Sequence, residues 1–427
     1  MHTLEPPDIA FTEHRLDNGL RVILHRDPSL PLVAINLWYH VGSRNERPGQ
    51  TGLAHLFEHM LFQGSAHVGT NDHFRYVQQV GGVANGSTWY DRTNYYETLP
   101  ASQLELGLWL ESDRMGFLLP ALTQEKLDTQ RDVVMNERRQ RVDNQPYGRA
   151  YERLHELLYA PGHPYRWPVI GTMEDIAGAT LEGVAGFFRT FYAPDNAVLT
   201  LAGDLDPEHA LDRVSAWFGE IPRGPGRPAA IDAPAPVVGA RRDELADRVQ
   251  LPRVYMAWEG PPYGSDAWYA GSLLTVALAS GKSSPLYADL VLERRLAKDV
   301  SAFLFPTELT STTAVVATAR PGVNVADLER AIDEHLAEAA ARTLPDEAFE
   351  RARNQVVNSA YAHVETAERK AEQLSQFATY FGDPGFLAHE IRAYAETPAE
   401  DVRRFAAETW ASDRRATLTV VPETASA

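Results

Sequence analysis

Apolar residues recur along the chain in two spacings. Val33-Ala34-Ile35-Asn36-Leu37-Trp38 and Arg253-Val254-Tyr255-Met256-Ala257-Trp258 are short runs of strand-forming residues, and each precedes a Gly-Ser turn, at Gly42-Ser43 and Gly264-Ser265. They read as β-strands. Leu53, Leu56, Phe57, Met60 and Leu61 instead fall at helical spacing and predict a buried helix. Residues 127–139 predict a second long helix, with Leu127, Val134 and Arg138 on one side. Both halves alternate strand-like runs with amphipathic helices. That is the pattern of an α+β fold in which helices pack on a sheet.

The halves also share a plan. Phe187 to Thr200 parallels Phe405 to Thr419, allowing one inserted residue, and the two strand-like runs match in the same order. The offset is close to half the chain each time, which favours duplication over common helix-turn-strand grammar. Between the halves lies a Pro/Gly-rich stretch, Ile221-Pro222-Arg223-Gly224-Pro225-Gly226-Arg227-Pro228, continuing through Pro234 and Pro236. It can be neither helix nor central strand and reads as a stiff linker. The expected division is therefore residues 1–222, a linker at 223–240, and a homologous unit at 241–427, each unit a mostly antiparallel sheet packed with helices.

The predicted helix in the first half carries the chemistry. His55-Leu56-Phe57-Glu58-His59 places two imidazoles at i and i+4, on one face, able to reach a single ion. Glu58, one residue before His59, is placed to handle a proton on a nearby water. Two neutral nitrogen ligands and a carboxylate make up most of a hydrolytic zinc site. The alternative is a pair of core histidines satisfied by hydrogen bonds. A catalytic zinc needs a third protein ligand. Glu137 on the second helix is the choice, with Asp132, Asp128 and Glu125 as competitors. The position in the second half that matches the histidine helix, Thr275 to Ser280, contains no His or Glu. Metal chemistry therefore belongs to 1–222, and 241–427 lacks the motif.

Composition narrows the picture. A formal charge of −18 disfavours nucleic acid and anionic membrane as partners. The absence of cysteine excludes disulfides, thiol catalysis and thiolate-bound metal, leaving imidazole and carboxylate ligands. There is no apolar run long enough to span a membrane. The first seven residues lack the charged and apolar regions of a signal peptide. No compartment follows: a periplasm, with a signal removed, and a cytoplasm both stay open.

Several ordered blocks together resemble the pitrilysin / mitochondrial-processing-peptidase family of inverted zinc peptidases. They are Leu16-Asp17-Asn18-Gly19-Leu20-Arg21-Val22, the H-x-x-E-H helix, Gly81-Gly82 with Asn85-Gly86, Asp91 to Tyr96, Arg131 to Glu137, and His163-Pro164-Tyr165 with Gly171-Thr172. The resemblance covers nearly the whole chain. It implies one zinc ion per chain held by His55, His59 and Glu137, with Glu58 as general base for attack on a peptide carbonyl. The 77 residues between His59 and Glu137 fit the family's gap. It also implies that Ala84, Asn85, Gly86 and Ser87 lie on an edge strand that receives an extended peptide. Without the resemblance, Gly81-Gly82 and Asn85-Gly86 read as turn dipeptides.

Two departures alter the expectation. Family members often carry a glutamate seven residues before the third ligand; here it is Gln130, which could orient a ligand without adding charge. Complete members also carry an Arg and a Tyr seven residues apart in the C-terminal half, contacting substrate at the reacting centre. Here those positions are Val291 and Lys298, and no Arg-x6-Tyr fits nearby. The family's short members pair as dimers enclosing a chamber. The resemblance therefore implies a peptide-cleaving subunit that relies on a homologous partner carrying Arg-x6-Tyr, in preference to a homodimer in which Lys298 or another cation substitutes. The rivals are a non-catalytic scaffold subunit and a metal-dependent hydrolase of non-peptide substrates.

Overall fold

The computed structural model describes residues 9–226 and 230–423. Met1 to Pro7 and Arg227 to Ala229, on which parts of the leader and linker readings fall, lie outside the described residues. The described residues of 223–240 form neither helix nor strand. The chain divides into two compact units. One comprises Met1–Arg138, Pro168–Ile231 and Tyr361–Ala388; the other comprises Arg139–Trp167, Asp232–Ala360 and His389–Ala427. One passage between units falls inside the stretch read as a linker. The exchanged segments 139–167 and 361–388 have no counterpart in the sequence reading.

The first unit is built on a six-stranded sheet. Its strands are β1 (Thr12–Arg15), β2 (Arg21–Arg26), β3 (Leu32–Tyr39), β4 (Val83–Thr88), β5 (Thr93–Pro100) and β6 (Ala197–Gly203), in spatial order β1-β2-β6-β3-β5-β4. All pairings are antiparallel except β2–β6. β3 and β6 are buried along nearly their whole length because both faces of the sheet are covered. Side chains alternate between faces with period two. Val33, Ile35 and Leu37 join the main core with Leu56, Phe57, Leu108 and Leu127. Ile23, Trp38 and Val198 point the other way, onto Leu374 and Ala378 of the helix Ala367–Tyr380. The main core is closed by α1 (Leu53–Met60), α2 (Asp72–Gln79), α3 (Leu104–Phe117) and α4 (Gln124–Arg138).

The second unit holds a five-stranded sheet of β7 (Arg241–Asp247), β8 (Arg253–Gly260), β9 (Ala297–Leu304), β10 (Ser311–Ala319) and β11 (Ala416–Pro422). The order is β7-β11-β8-β10-β9, with β7–β11 the parallel pair. Strand for strand this repeats β2-β6-β3-β5-β4, including the place of the parallel pair. The matched sequence runs 33–38 and 253–258 are the corresponding central strands β3 and β8. The fold is α+β with two sheets of mostly antiparallel pairing. Among the described residues, no helix is long and apolar enough to cross a membrane.

Candidate metal centre

α1 is short, and its position is fixed from several sides. Leu53, Ala54, Leu56, Phe57 and Met60 are buried, which leaves His55, Glu58 and His59 on the remaining face. At its start, the buried Glu46 carboxylate accepts from the backbone N–H groups of Gly52 (2.9 Å) and Ala54 (2.8 Å). These are the donors that a helix N-terminus leaves unsatisfied, and a negative charge there also suits the helix dipole. Gly52 has a left-handed φ of 86°, and a Cβ on it would lie 2.6 Å from the Ile170 carbonyl oxygen. Only glycine fits this approach. Arg138, at the end of α4, donates to the neighbouring Gly171 carbonyl (2.7 Å), so one loop touches the start of α1 and the end of α4.

α1 and α4 together bring His55, His59 and Glu137 into one cluster, with a ligand atom from each lying within 4.8 Å of the others. The two imidazole rings are 4.8 Å apart between centroids. Glu137 Oε2 is 3.7 Å from His55 Nε2 and 3.3 Å from His59 Nε2. A charge-assisted hydrogen bond would be shorter, about 2.7–2.9 Å. A tetrahedral cation with ligands at about 2.0–2.2 Å sets its donor atoms about 3.3–3.6 Å apart. The donor set and its spacing therefore fit a zinc-sized divalent ion. The competing acids Glu125, Asp128 and Asp132 are exposed, and Asp128 is paired with Arg131.

Residues 21–170, which contain the trio, match the family model described as insulinase (peptidase family M16), and residues 178–356 match the model described as peptidase M16 inactive domain. Zinc protease PqqE of Helicobacter pylori is 31% identical over 328 residues, covering 74% of this chain and 72% of that protein. The chain belongs to peptidase family M16. An uncharacterized zinc protease of Streptomyces coelicolor is 26% identical across 95% of this chain and 88% of its own length. The crystal structure of a protease from Helicobacter pylori superimposes with a TM-score of 0.88 at 25% identity, over 97% of this chain and all of that one. A peptidase M16 inactive domain from Pseudomonas fluorescens shares the fold at a TM-score of 0.86 and 18% identity, over 97% and 98% of the two chains.

In this M16 chain, Glu58 sits between α1 and β4. Thr88 Oγ1 donates to Glu58 Oε2 at 2.5 Å. Burial raises the Glu58 pKa, opposed by the Thr88 hydrogen bond and then by the charges of His59 and Arg92. Ala84, Asn85, Gly86 and Ser87 lie on β4, at the edge of the sheet, paired with β5 on one side only. The Asn85-Gly86 dipeptide is thus mid-strand rather than a turn. Ser87 Oγ donates to Asn94 Oδ1 (2.7 Å) and receives a bond from Arg92 (2.6 Å). Gln130 is buried two turns before Glu137, and its amide is hydrogen-bonded to none of the trio. In the second unit, Val291 is buried and Lys298 stands exposed on β9.

The sequence reading did not single out Glu46 or Thr88, and it placed Arg138 on one side of the second helix without its bond to Gly171. Glu46 acts on the start of α1 through two hydrogen bonds and Thr88 on Glu58 through one, and no local pattern announces either. It also missed a second, wholly buried cluster of His73 on α2, Glu97 on β5 and Glu111 on α3, whose ligand atoms lie within 4.8 Å of one another. Arg114 binds Glu111 (Nε to Oε2, 2.8 Å) and lies over the Tyr95 ring at 4.2 Å. Neither Glu97 oxygen has a hydrogen-bond partner among the described residues. Burial pushes Glu97 up to about 7 and His73 down to about 3. With Arg114 neutralising Glu111 and His73 uncharged, one proton on Glu97 balances the cluster, so its charges do not call for a metal ion.

Proposed function

We propose that this chain is a zinc metalloendopeptidase subunit, with one zinc ion held by His55, His59 and Glu137 and with Glu58 as general base. The observation that carries the reading is the trio itself. Two imidazole nitrogens on α1 and a carboxylate oxygen on α4 stand close to the spacing of tetrahedral donors, in a member of a peptidase family whose relatives are named zinc proteases. Zinc, when bound, supplies Lewis acidity, polarising a carbonyl and making water more acidic. Glu58 accepts the proton from the attacking water and returns it to the leaving amine. An extended peptide pairs with the free edge of β4, using the backbone of Ala84, Asn85, Gly86 and Ser87, which suits weak sequence preference.

The residues at 291 and 298 offer no Arg/Tyr pair, so a homologous subunit carrying one completes the site by closing a chamber around the peptide. Metal binding resides in the first half of the chain, and the second half is its metal-free relative. A non-catalytic role is the second reading, favoured by the match of 178–356 to an inactive domain, although that segment excludes the trio.

Zinc analysis and turnover of a quenched-fluorescent peptide separate these readings. We expect one zinc per chain in both wild type and Glu58→Gln, with turnover in the wild type alone. Without the partner the rate is expected to fall about 100- to 1000-fold, the usual cost of a missing oxyanion donor. A zinc-free wild type, or a Glu58→Gln variant of undiminished activity, overturns the proposal. Full activity from the purified chain removes the partner requirement only.

A further inference from the structure

We infer that Thr88 is a positioning residue for Glu58, so that the strand receiving the peptide also sets the general base. This rests on the reading of Glu58 just given. Gly86 and Thr88 are two apart on β4 and share a face, the face turned to α1. At Gly86 the strand lies so close that an added Cβ would stand 3.2 Å from Glu58 Cγ, and equally close to Phe62 and Tyr95. At Thr88 the hydroxyl reaches the carboxylate itself, at 2.5 Å on Oε2. The side chain thereby has little space toward the strand and is held at one oxygen, which leaves Oε1 for a reacting proton. A glutamate on an open helix face would instead sample several rotamers.

The donor is itself held firmly. Thr88 is the last residue of β4 and pairs with Thr93, whose hydroxyl donates to the Val41 carbonyl (2.9 Å). The turn between them is closed by Trp89 N–H to the Arg92 carbonyl (2.8 Å). Its outer side is bound by Ser43 N–H to Trp89 O (3.2 Å), Arg44 N–H to Tyr90 O (3.0 Å) and the Arg44–Asp91 ion pair (3.0 Å). Gly42 packs against this turn so closely that a Cβ would lie 2.2 Å from the Trp89 carbonyl oxygen. A hydroxyl mounted on a turn held at this many points gives Glu58 a fixed reference.

The test compares Thr88→Val, which keeps the shape and removes the hydroxyl, with Thr88→Ser, which keeps the hydroxyl. Both are assayed as the zinc-loaded full chain, in whichever assembly the wild type needs for turnover. Thr88→Val is expected to lower kcat about 10- to 100-fold, the scale of a misplaced catalytic group, with KM within about twofold and zinc content unchanged. Thr88→Ser is expected to restore kcat to within about threefold of wild type. An unchanged kcat in Thr88→Val, or an equal loss in both variants, overturns the inference. A crystal structure of Thr88→Val decides it independently of activity: a displaced Glu58 carboxylate supports the role, and an unmoved one removes it. If the wild type itself cleaves nothing, the proposed function fails while the crystallographic comparison still judges Thr88.

Discussion

Replacing Glu97 by Gln tests the physics of the buried cluster of His73, Glu97 and Glu111. Glu97 is 1% exposed and faces His73, Glu111 and Arg114, with no hydrogen bond to either oxygen among the described residues. Burial moves its pKa from an ordinary 4.5 to about 7, with Arg114 pulling the other way. The folded state therefore binds a proton that the unfolded state has already released between these values. Stability must fall as pH rises through that window, and the loss saturates above pH 7. Held from 4.5 up to about 7, the carboxyl carries a full penalty of about 3 kcal/mol once ionised. Glutamine cannot ionise, so Glu97→Gln escapes the penalty. The stability difference between variant and wild type should grow in favour of the variant by about 2–3 kcal/mol from about pH 5 to about pH 8. His73, held near 3, destabilises both proteins equally as pH falls from its ordinary 6.5, so it cancels in the comparison. Urea unfolding followed by tryptophan fluorescence gives the difference at each pH. A difference that stays flat across the range would refute the assignment of the proton to Glu97.

Other perturbations probe the site from different directions. Glu137→Gln and His59→Ala should each lower zinc occupancy well below one per chain, measured by metal analysis after dialysis, while the circular dichroism stays that of the wild type. Gly86→Ala inserts a methyl 3.2 Å from Glu58, Phe62 and Tyr95; it should cost about 1–3 kcal/mol in thermal unfolding and reduce kcat, and an unchanged melting curve would show that the neighbours give way. Glu46→Ala removes the carboxylate that satisfies two N–H groups at the start of α1, and should destabilise by about 1–2 kcal/mol, with Glu46→Gln retaining part of it.

What could be read from the residues alone divides by distance along the chain. α1 was legible because its apolar spacing and its ligand spacing fall within the same eight residues. The α+β class and the repeat were legible because β3 and β8 carry dense apolar runs in matching contexts. Glu137 was not separable from Asp128 and Asp132 by pattern, since a helix with few apolar residues does not declare its inner face; its nearness to the two imidazoles of α1 is visible only in the fold. Asn85-Gly86 has the composition of a turn, yet pairing with Tyr96 and Tyr95 of β5 makes it strand, tertiary context overriding local preference. Glu97, Glu111 and Arg114 are charged residues of a kind that normally face water, so nothing local marked them as buried. The helix 367–380 reads as an ordinary amphipathic helix, and no local signal states which sheet it covers.

That last helix has a consequence for how the protein is made. Ala371, Leu374 and Ala378 roof the side of the first sheet formed by Ile23, Ala34, Trp38, Val198 and Ala202. Ribosomes add about 5–20 residues per second, so roughly ten seconds or more separate emergence of Ile231 from emergence of this roof. Throughout that interval the nascent first sheet shows a greasy flank, an invitation to chaperones and to premature association. A fragment cut at the proline-rich stretch would keep that flank bare permanently, so the first unit is complete only once residues 361–388 have been made.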